Sequence, residues 1–277
     1  MRSFVIVTYW WDGVCTNSSY NHISMRAQTP ATYEELVQRL RKRCTQLGFA
    51  FDALRVKSPE YQLGISLKPM VIEHMLHKWK RPVLYVDCDI HIHKVPVMIE
   101  DAVDSFDFMA FNWYADQRAV PISSTTPITF DWHTLFSSGG VLFFGTSVNA
   151  RYLLCLWKLV VLVNMKKADD RVLDMCFKML QTVFLKHTVK YYWLPIEYCY
   201  IPRYMRRIPV RNIVISHPFS LSNNLTNRLP VGYMRCVRCT DDYTNVVEYI
   251  PKRKKHWLRF IHDRNKHLRL NYNVVFT

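Results

Sequence analysis

The feature that most constrains this chain is the run Val83-Leu84-Tyr85-Val86, continuously apolar and ending abruptly in Asp87-Cys88-Asp89. An unbroken apolar run of this kind belongs to a strand buried on both faces, as in a parallel sheet covered by helices on either side. The surrounding pattern agrees. Strands are predicted over 3–9, 49–56, 82–92, 106–111 and 140–144, and helices over 32–48, 68–80, 150–163 and 170–185. Strand and helix alternate through the first 110 residues, which requires right-handed crossovers and a largely parallel α/β sheet.

Side chains two apart on a strand share a face, so Asp87 and Asp89 are expected to project together from the carboxyl edge of the sheet. Ligands of open parallel sheets bind at that edge. Two converging carboxylates repel unless a cation lies between them. A hard divalent ion such as Mg²⁺ or Mn²⁺ suits their oxygens and can then clamp a diphosphate. The plain alternative is a pair of strand-end caps.

Composition narrows the partner. Only seven of the 277 residues are glycine, and no glycine string of the P-loop or dinucleotide type occurs. The formal charge of +15 favours an anionic partner or, more plainly, a solvated basic surface. The eight cysteines are scattered, several in apolar runs, which fits reduced thiols better than a disulfide framework. Cys236 and Cys239 form a lone CxxC, weak as a zinc signature. The apolar run 153–163 is interrupted by Lys158 and falls short of the roughly 20 residues of a membrane span. With no signal-peptide pattern at the start, a cytoplasmic protein is expected.

The stretch Lys80-Arg81-Pro82-Val83-Leu84-Tyr85-Val86-Asp87-Cys88-Asp89-Ile90 resembles the DxD strand of GT-A glycosyltransferases, which use nucleotide-diphosphate sugars. Ser66-Leu67-Lys68-Pro69 resembles the start of the helix before that strand. Ser137-Ser138-Gly139-Gly140-Val141-Leu142-Phe143-Phe144 resembles the strand lining the sugar site. Lys167-Ala168-Asp169-Asp170-Arg171 resembles the acidic helix start, with Asp where Glu is commoner. Ile213-Val214-Ile215-Ser216-His217 resembles the late strand whose His completes the metal site. The order holds over roughly residues 3–220.

This resemblance implies a GT-A (Rossmann-like) domain over 1–235, with nucleotide-sugar binding in about 1–110 and the acceptor and catalytic part in about 111–235. A basic extension, 236–277, follows. It implies a metal, Mn²⁺ or Mg²⁺, held by Asp89, Asp87 and His217, with Asp89 the direct ligand and Asp87 facing the ribose or a metal-bound water. His91 and His93 are rival ligands or simply outward-facing polar residues. The donor set it implies is Thr8, Tyr9, Trp10, Asp52, Lys68, Asp87, Cys88, Ser138, Gly139 and Gly140. An aromatic after the first strand would stack on the base, Asp52 would accept from a base N–H, and Lys68 would reach a phosphate. Of Asp169 and Asp170, one caps the helix and the other is the general base. The resemblance favours Asp170 as base and inversion of the sugar. It implies a UDP-sugar donor and a glycan or other hydroxyl acceptor. In build the chain is similar to the small soluble members found in bacteria and in large DNA viruses of algae, which in the viral case would place it in host cytoplasm.

Two other classes compete. A haloacid-dehalogenase-type phosphatase also carries Asp-x-Asp after an apolar strand, but a Thr or Val normally stands where this chain has His91, and no late G-D-x-x-x-D motif follows. A nucleic-acid-binding module would account for the charge, yet no helix-turn-helix, zinc-finger array or RNP motif is evident, and no nucleic acid is expected. Residues 252–270 hold eight basic residues and one acidic residue, with Trp257, Phe260 and Ile261 among them. They suit an amphipathic helix, packed on the domain or lying on an anionic membrane surface.

Overall fold

The computed structural model describes residues 2–11, 30–56, 61–113, 115, 135, 137–163, 169–182, 189–201, 205 and 210–217. The loop 119–129, the CxxC, the basic extension and the boundary near residue 235 lie outside them.

The described strands are β1 (Val5–Trp11), β2 (Ala50–Val56), β3 (Val83–Val86), β4 (His91–Ile92), β5 (Phe108–Asn112), β6 (Ser137–Phe144), β7 (Tyr191–Leu194) and β8 (Ile215–Ser216). The helices are α1 (Pro30–Gln46), α2 (Tyr61–Ser66), α3 (Lys68–Trp79), α4 (Val97–Ala102), α5 (Val148–Val163) and α6 (Asp169–Thr182). Six strands form one sheet in the order β2-β1-β3-β6-β5-β7. The β1–β2, β1–β3 and β5–β7 pairs are parallel; β6 alone runs against its neighbours β3 and β5. The expected mostly parallel α/β sheet flanked by helices is therefore what the chain adopts.

The apolar strands explain the order. Val83, Leu84 and Val86 are fully buried, as are Val5, Ile6, Val7, Phe108 and Val141 to Phe144. Residues adjacent along a strand face opposite layers. Trp10 packs with Leu36, Val37 and Cys88 on the α1 side. Tyr9, its neighbour, donates its hydroxyl to the carbonyls of Gly64 and Ile65 in α2. The strand ends of β1 and β3 thus lie between α1 on one face and α2 and α3 on the other.

One sequence expectation is corrected. The strand expected over 82–92 stops at Val86, where its pairing with Val141 ends. Residues 87–90 make a turn, closed by Ile90 N–H donating to Asp87 O at 3.1 Å. β4 then pairs antiparallel with β8 in a separate two-stranded sheet. Among the described residues, no helix is long and apolar enough to cross a membrane.

Candidate metal and donor site

Asp87 and Asp89 come together through that turn, not through strand alternation. The Asp87 N–H donates to Gly140 O at 3.0 Å, so β6 continues to hold the chain just past the last strand residue. On the other side of the turn, α1 holds the chain by its arginines. Arg39 Nη2 donates to Asp89 O at 3.4 Å, Arg43 Nε to Ile92 O at 2.8 Å, and Arg43 Nη2 to His93 O. Pairing of His91 with Ser216 then sets the next residue, His217, against the acids. His217 Nε2 lies 3.1 Å from Asp89 Oδ1 and 4.0 Å from Asp87 Oδ2.

One ligand atom from each of Asp87, Asp89 and His217 lies within 4.8 Å of the others, the spread that a single ion can span. Burial lowers the His217 pKa, but Asp89 and then Asp87 outweigh it and leave it raised. Asp87 is oriented from behind. Its Oδ1 accepts from the Tyr85 hydroxyl at 2.7 Å and sits 3.3 Å from Lys68 Nζ, which leaves Oδ2 on the side of His217. Two carboxylate oxygens and an imidazole nitrogen are a donor set for Mn²⁺ or Mg²⁺, with the nitrogen better suited to Mn²⁺. The residues present fit such an ion.

The glycine pair makes room for this set. Gly139 has φ +68, a conformation that favours glycine, and a Cβ there would stand 3.0 Å from Asp170 Cβ. A Cβ at Gly140 would stand 2.9 Å from His217 Nδ1 and 3.2 Å from Asp87 Oδ2. The two glycines therefore let α6 approach from one side and the metal-ligand residues from the other.

Lys68 ties the two sides together. It is buried, and its Nζ donates to Gly139 O at 2.9 Å, pairs with Asp169 Oδ2 at 2.7 Å and faces Asp87 Oδ1. Burial alone would lower its pKa; Asp169 and Asp87 reverse this and raise it, so the ammonium stays charged. Asp169 is thus an ion-pair partner, and Trp157 Nε1 also donates to its carbonyl at 3.1 Å. Asp170 is buried too, and its Oδ1 accepts the Arg171 N–H at 2.7 Å. Burial first, then Asp169, raises its pKa to about 7. A carboxyl with that pKa is a competent proton acceptor near neutrality.

Of the remaining expected residues, several are placed elsewhere. Tyr9 is buried with its hydroxyl committed to α2, and its ring lies tilted 5.9 Å from Tyr85, so it cannot stack on a base. Thr8 is wholly buried. Trp10 and Cys88 belong to the apolar cluster against α1. Asp52 binds Trp79 Nε1 at 2.8 Å and Lys78 Nζ at 2.6 Å at the far end of α3, about 16 Å along that helix from Lys68. Its acceptors are taken up there, because β2 meets the carboxyl end of α3 rather than the amino end. Ser138 Oγ lies 3.0 Å from Cys199 Sγ. His93 Nε2 lies 2.8 Å from Ser216 Oγ, and neither His91 nor His93 is in the ligand cluster. Cys44, Cys88, Cys176 and Cys199 are free and buried, as expected of reduced thiols; Cys155 is free and exposed.

Two supporting residues escaped the sequence reading. Tyr85 is two before Asp87 and shares its face. Asp174 is one turn after Asp170, and its Oδ1 accepts both the N–H and the hydroxyl of Ser137 at 3.0 Å, holding the start of the Ser-Ser-Gly-Gly strand. Helical spacing from Asp170 was the signal available for it.

No protein-family model and no curated protein matches this sequence. Solved structures match at low identity. One is a glycosyltransferase involved in the glycosylation of the major capsid of PBCV-1, 12% identical, covering 77% of this chain and 93% of that chain, with a TM-score of 0.49. Another is the galactosyltransferase LgtC in complex with donor and acceptor sugar analogs, 11% identical, covering 84% and 99%, with a TM-score of 0.41. An active-site mutant of LgtC is 12% identical over 83% and 99%, with a TM-score of 0.43. These likenesses are distant, and the functional reading rests on the site itself.

Proposed function

We propose that the chain is a metal-dependent glycosyltransferase of GT-A type, which moves a sugar from a nucleotide-diphosphate sugar, a UDP-sugar, to a hydroxyl acceptor. The observation that carries this is one arrangement: Asp87, Asp89 and His217 on one side of Gly139-Gly140, and Asp170 on the other. A cation site and a proton acceptor flank a stretch of backbone with no side chains.

Asp89, Asp87 and His217 would hold Mn²⁺ or Mg²⁺, which when bound neutralises charge developing on a departing diphosphate. Every other step falls to the chain. The glycine pair lets Asp170 and the ion-holding residues close on the same stretch of backbone, so that the base and the diphosphate site lie near one another. Asp170, as carboxylate, accepts the proton of the acceptor hydroxyl while that oxygen forms a bond to the anomeric carbon. The bond from the anomeric carbon to the diphosphate oxygen breaks, and its electron pair leaves with the nucleoside diphosphate. Attack from the side opposite the diphosphate inverts the sugar. Lys68 and Tyr85 orient Asp87, and Asp174 holds the strand that carries the glycines.

The test is turnover of a panel of nucleotide-sugars with Mn²⁺. UDP-sugar hydrolysis or transfer that disappears in Asp89→Ala, with the circular dichroism spectrum unchanged, is the expected result. Equal turnover in that variant, or no response to any nucleotide-sugar, removes the reading.

A further inference from the structure

Five of the seven large apolar side chains that stand exposed among the described residues lie on one helix, α5. They are Val148 (64% exposed), Tyr152 (41%), Leu159 (57%), Leu162 (49%) and Val163 (68%). The opposite face of α5 is buried in the domain through Leu153, Leu154, Trp157 and Val161. A surface helix normally turns polar residues to water; a helix apolar on both faces is ordinarily covered on both. By contrast, α1 exposes Glu34, Glu35, Gln38, Arg41 and Lys42.

The spacing suits a second helix. Val148, Tyr152, Cys155, Leu159 and Leu162 recur at intervals of 4, 3, 4 and 3 residues, the seam of a helix pair. Cys155, exposed and free, stands at the middle, with Val148 and Leu162 seven residues to either side. Such a stripe reads nearly the same in both directions, so it complements a reversed copy of itself. We propose that this face is the interface of a two-fold homodimer in which two copies of α5 run antiparallel and cross at Cys155.

In that arrangement Val148 meets Leu162 of the other copy, and Tyr152 meets Leu159. Antiparallel helices also oppose their dipoles. The exposed fractions leave roughly 500 Å² of apolar surface per copy, so two copies would bury about 1,000 Å², the lower bound for a specific interface. A weak, concentration-dependent dimer follows. This inference does not depend on the proposed activity.

The experiment is sedimentation velocity on the full chain from about 1 to about 200 µM, a range suited to an interface of this size. A reversible monomer–dimer equilibrium is expected, weakened at least ~10-fold by Leu159→Glu at an unchanged melting temperature. Leu162→Glu serves as a second variant should the first lose its fold. Mild oxidation should link two copies through Cys155 and not in Cys155→Ser. In the Cys155→Ser background, Leu159→Cys should not self-link, because only a parallel pair would bring that position to its own copy. A monomer at every concentration overturns the proposal, as does a dimer indifferent to both glutamate variants. A monomer that instead binds phosphatidylserine vesicles through the same residues also overturns it. Self-linking of Leu159→Cys overturns the antiparallel arrangement.

Discussion

At Gly140 a hydrogen stands where any other residue would press a carbon against two of the three candidate ligands. Gly140→Ala should leave the strand in place, since β6 pairs there through its backbone, yet weaken Mn²⁺ binding by about tenfold or more, the scale seen when metal ligands lose their orientation. Isothermal titration with Mn²⁺ reads this directly. Asp174 offers a second prediction at the same scale. Burial, then Asp170, holds its pKa well above the ordinary carboxylate value of about 3.9. A group whose folded pKa is raised contributes stability that is complete below the unfolded pKa and is lost as pH rises through the folded one. Asp174→Asn keeps an oxygen to accept from Ser137 and has no proton to lose. Its melting temperature relative to wild type should therefore improve steadily from pH 5 to pH 8. A difference that stays flat over that range contradicts the raised pKa of Asp174.

Helix α1 helps to place Asp89 without touching its carboxylate, through arginine bonds to carbonyls and through Cys88 packed against Leu36 and Val37. Arg43 ties Ile92 and His93 to the helix, and the turn carrying Asp89 lies immediately before them. Arg43→Ala should weaken Mn²⁺ binding roughly tenfold while costing little in thermal stability, as for residues that orient metal ligands without touching the metal. Equal affinity in the variant would show that β4 and β8 hold the turn unaided. Legibility in the sequence also differs by element. β3, α3 and the start of α6 could be read because each announces itself in a continuous stretch: four apolar residues before Asp87, a Lys-Pro helix start, paired acids before Val172. The late strand that brings His217 beside the two acids was legible from its motif. The turn at 87–90 was not, since nothing in Asp-Cys-Asp-Ile marks the point where β3 runs out of partner on β6. The residues after β1 misled for a related reason. Tyr9 and Trp10 look alike in sequence, but alternation sends one to α2 and the other to α1, and neither faces the edge. Asp52 was legible as a strand residue only, because its partners Lys78 and Trp79 come from another element.

For the whole molecule, metal binding and folding are linked. A ligand at 100 times its dissociation constant adds about 2.7 kcal/mol to the folded state. Saturating Mn²⁺ should therefore raise the melting temperature by several degrees in wild type and not in Asp89→Ala. The net charge of +15 acts on encounter rather than on chemistry. With a nucleotide-sugar as substrate, kcat/KM should fall as salt rises from low to physiological strength, with kcat steady; a salt-independent kcat/KM would mean that the charge does not reach the site. The knot at Lys68 bears finally on how such a chain can change over generations. Losing Lys68 alone strands Asp87 and Asp169 as like charges in a buried site, and losing Asp169 alone leaves the lysine's charge half answered. A lineage that abandons the arrangement must alter positions 68, 87 and 169 together or pass through a chain that folds poorly. Positions 68, 87 and 169 are therefore expected to change together, while the solvent face of α1 is expected to tolerate change one position at a time.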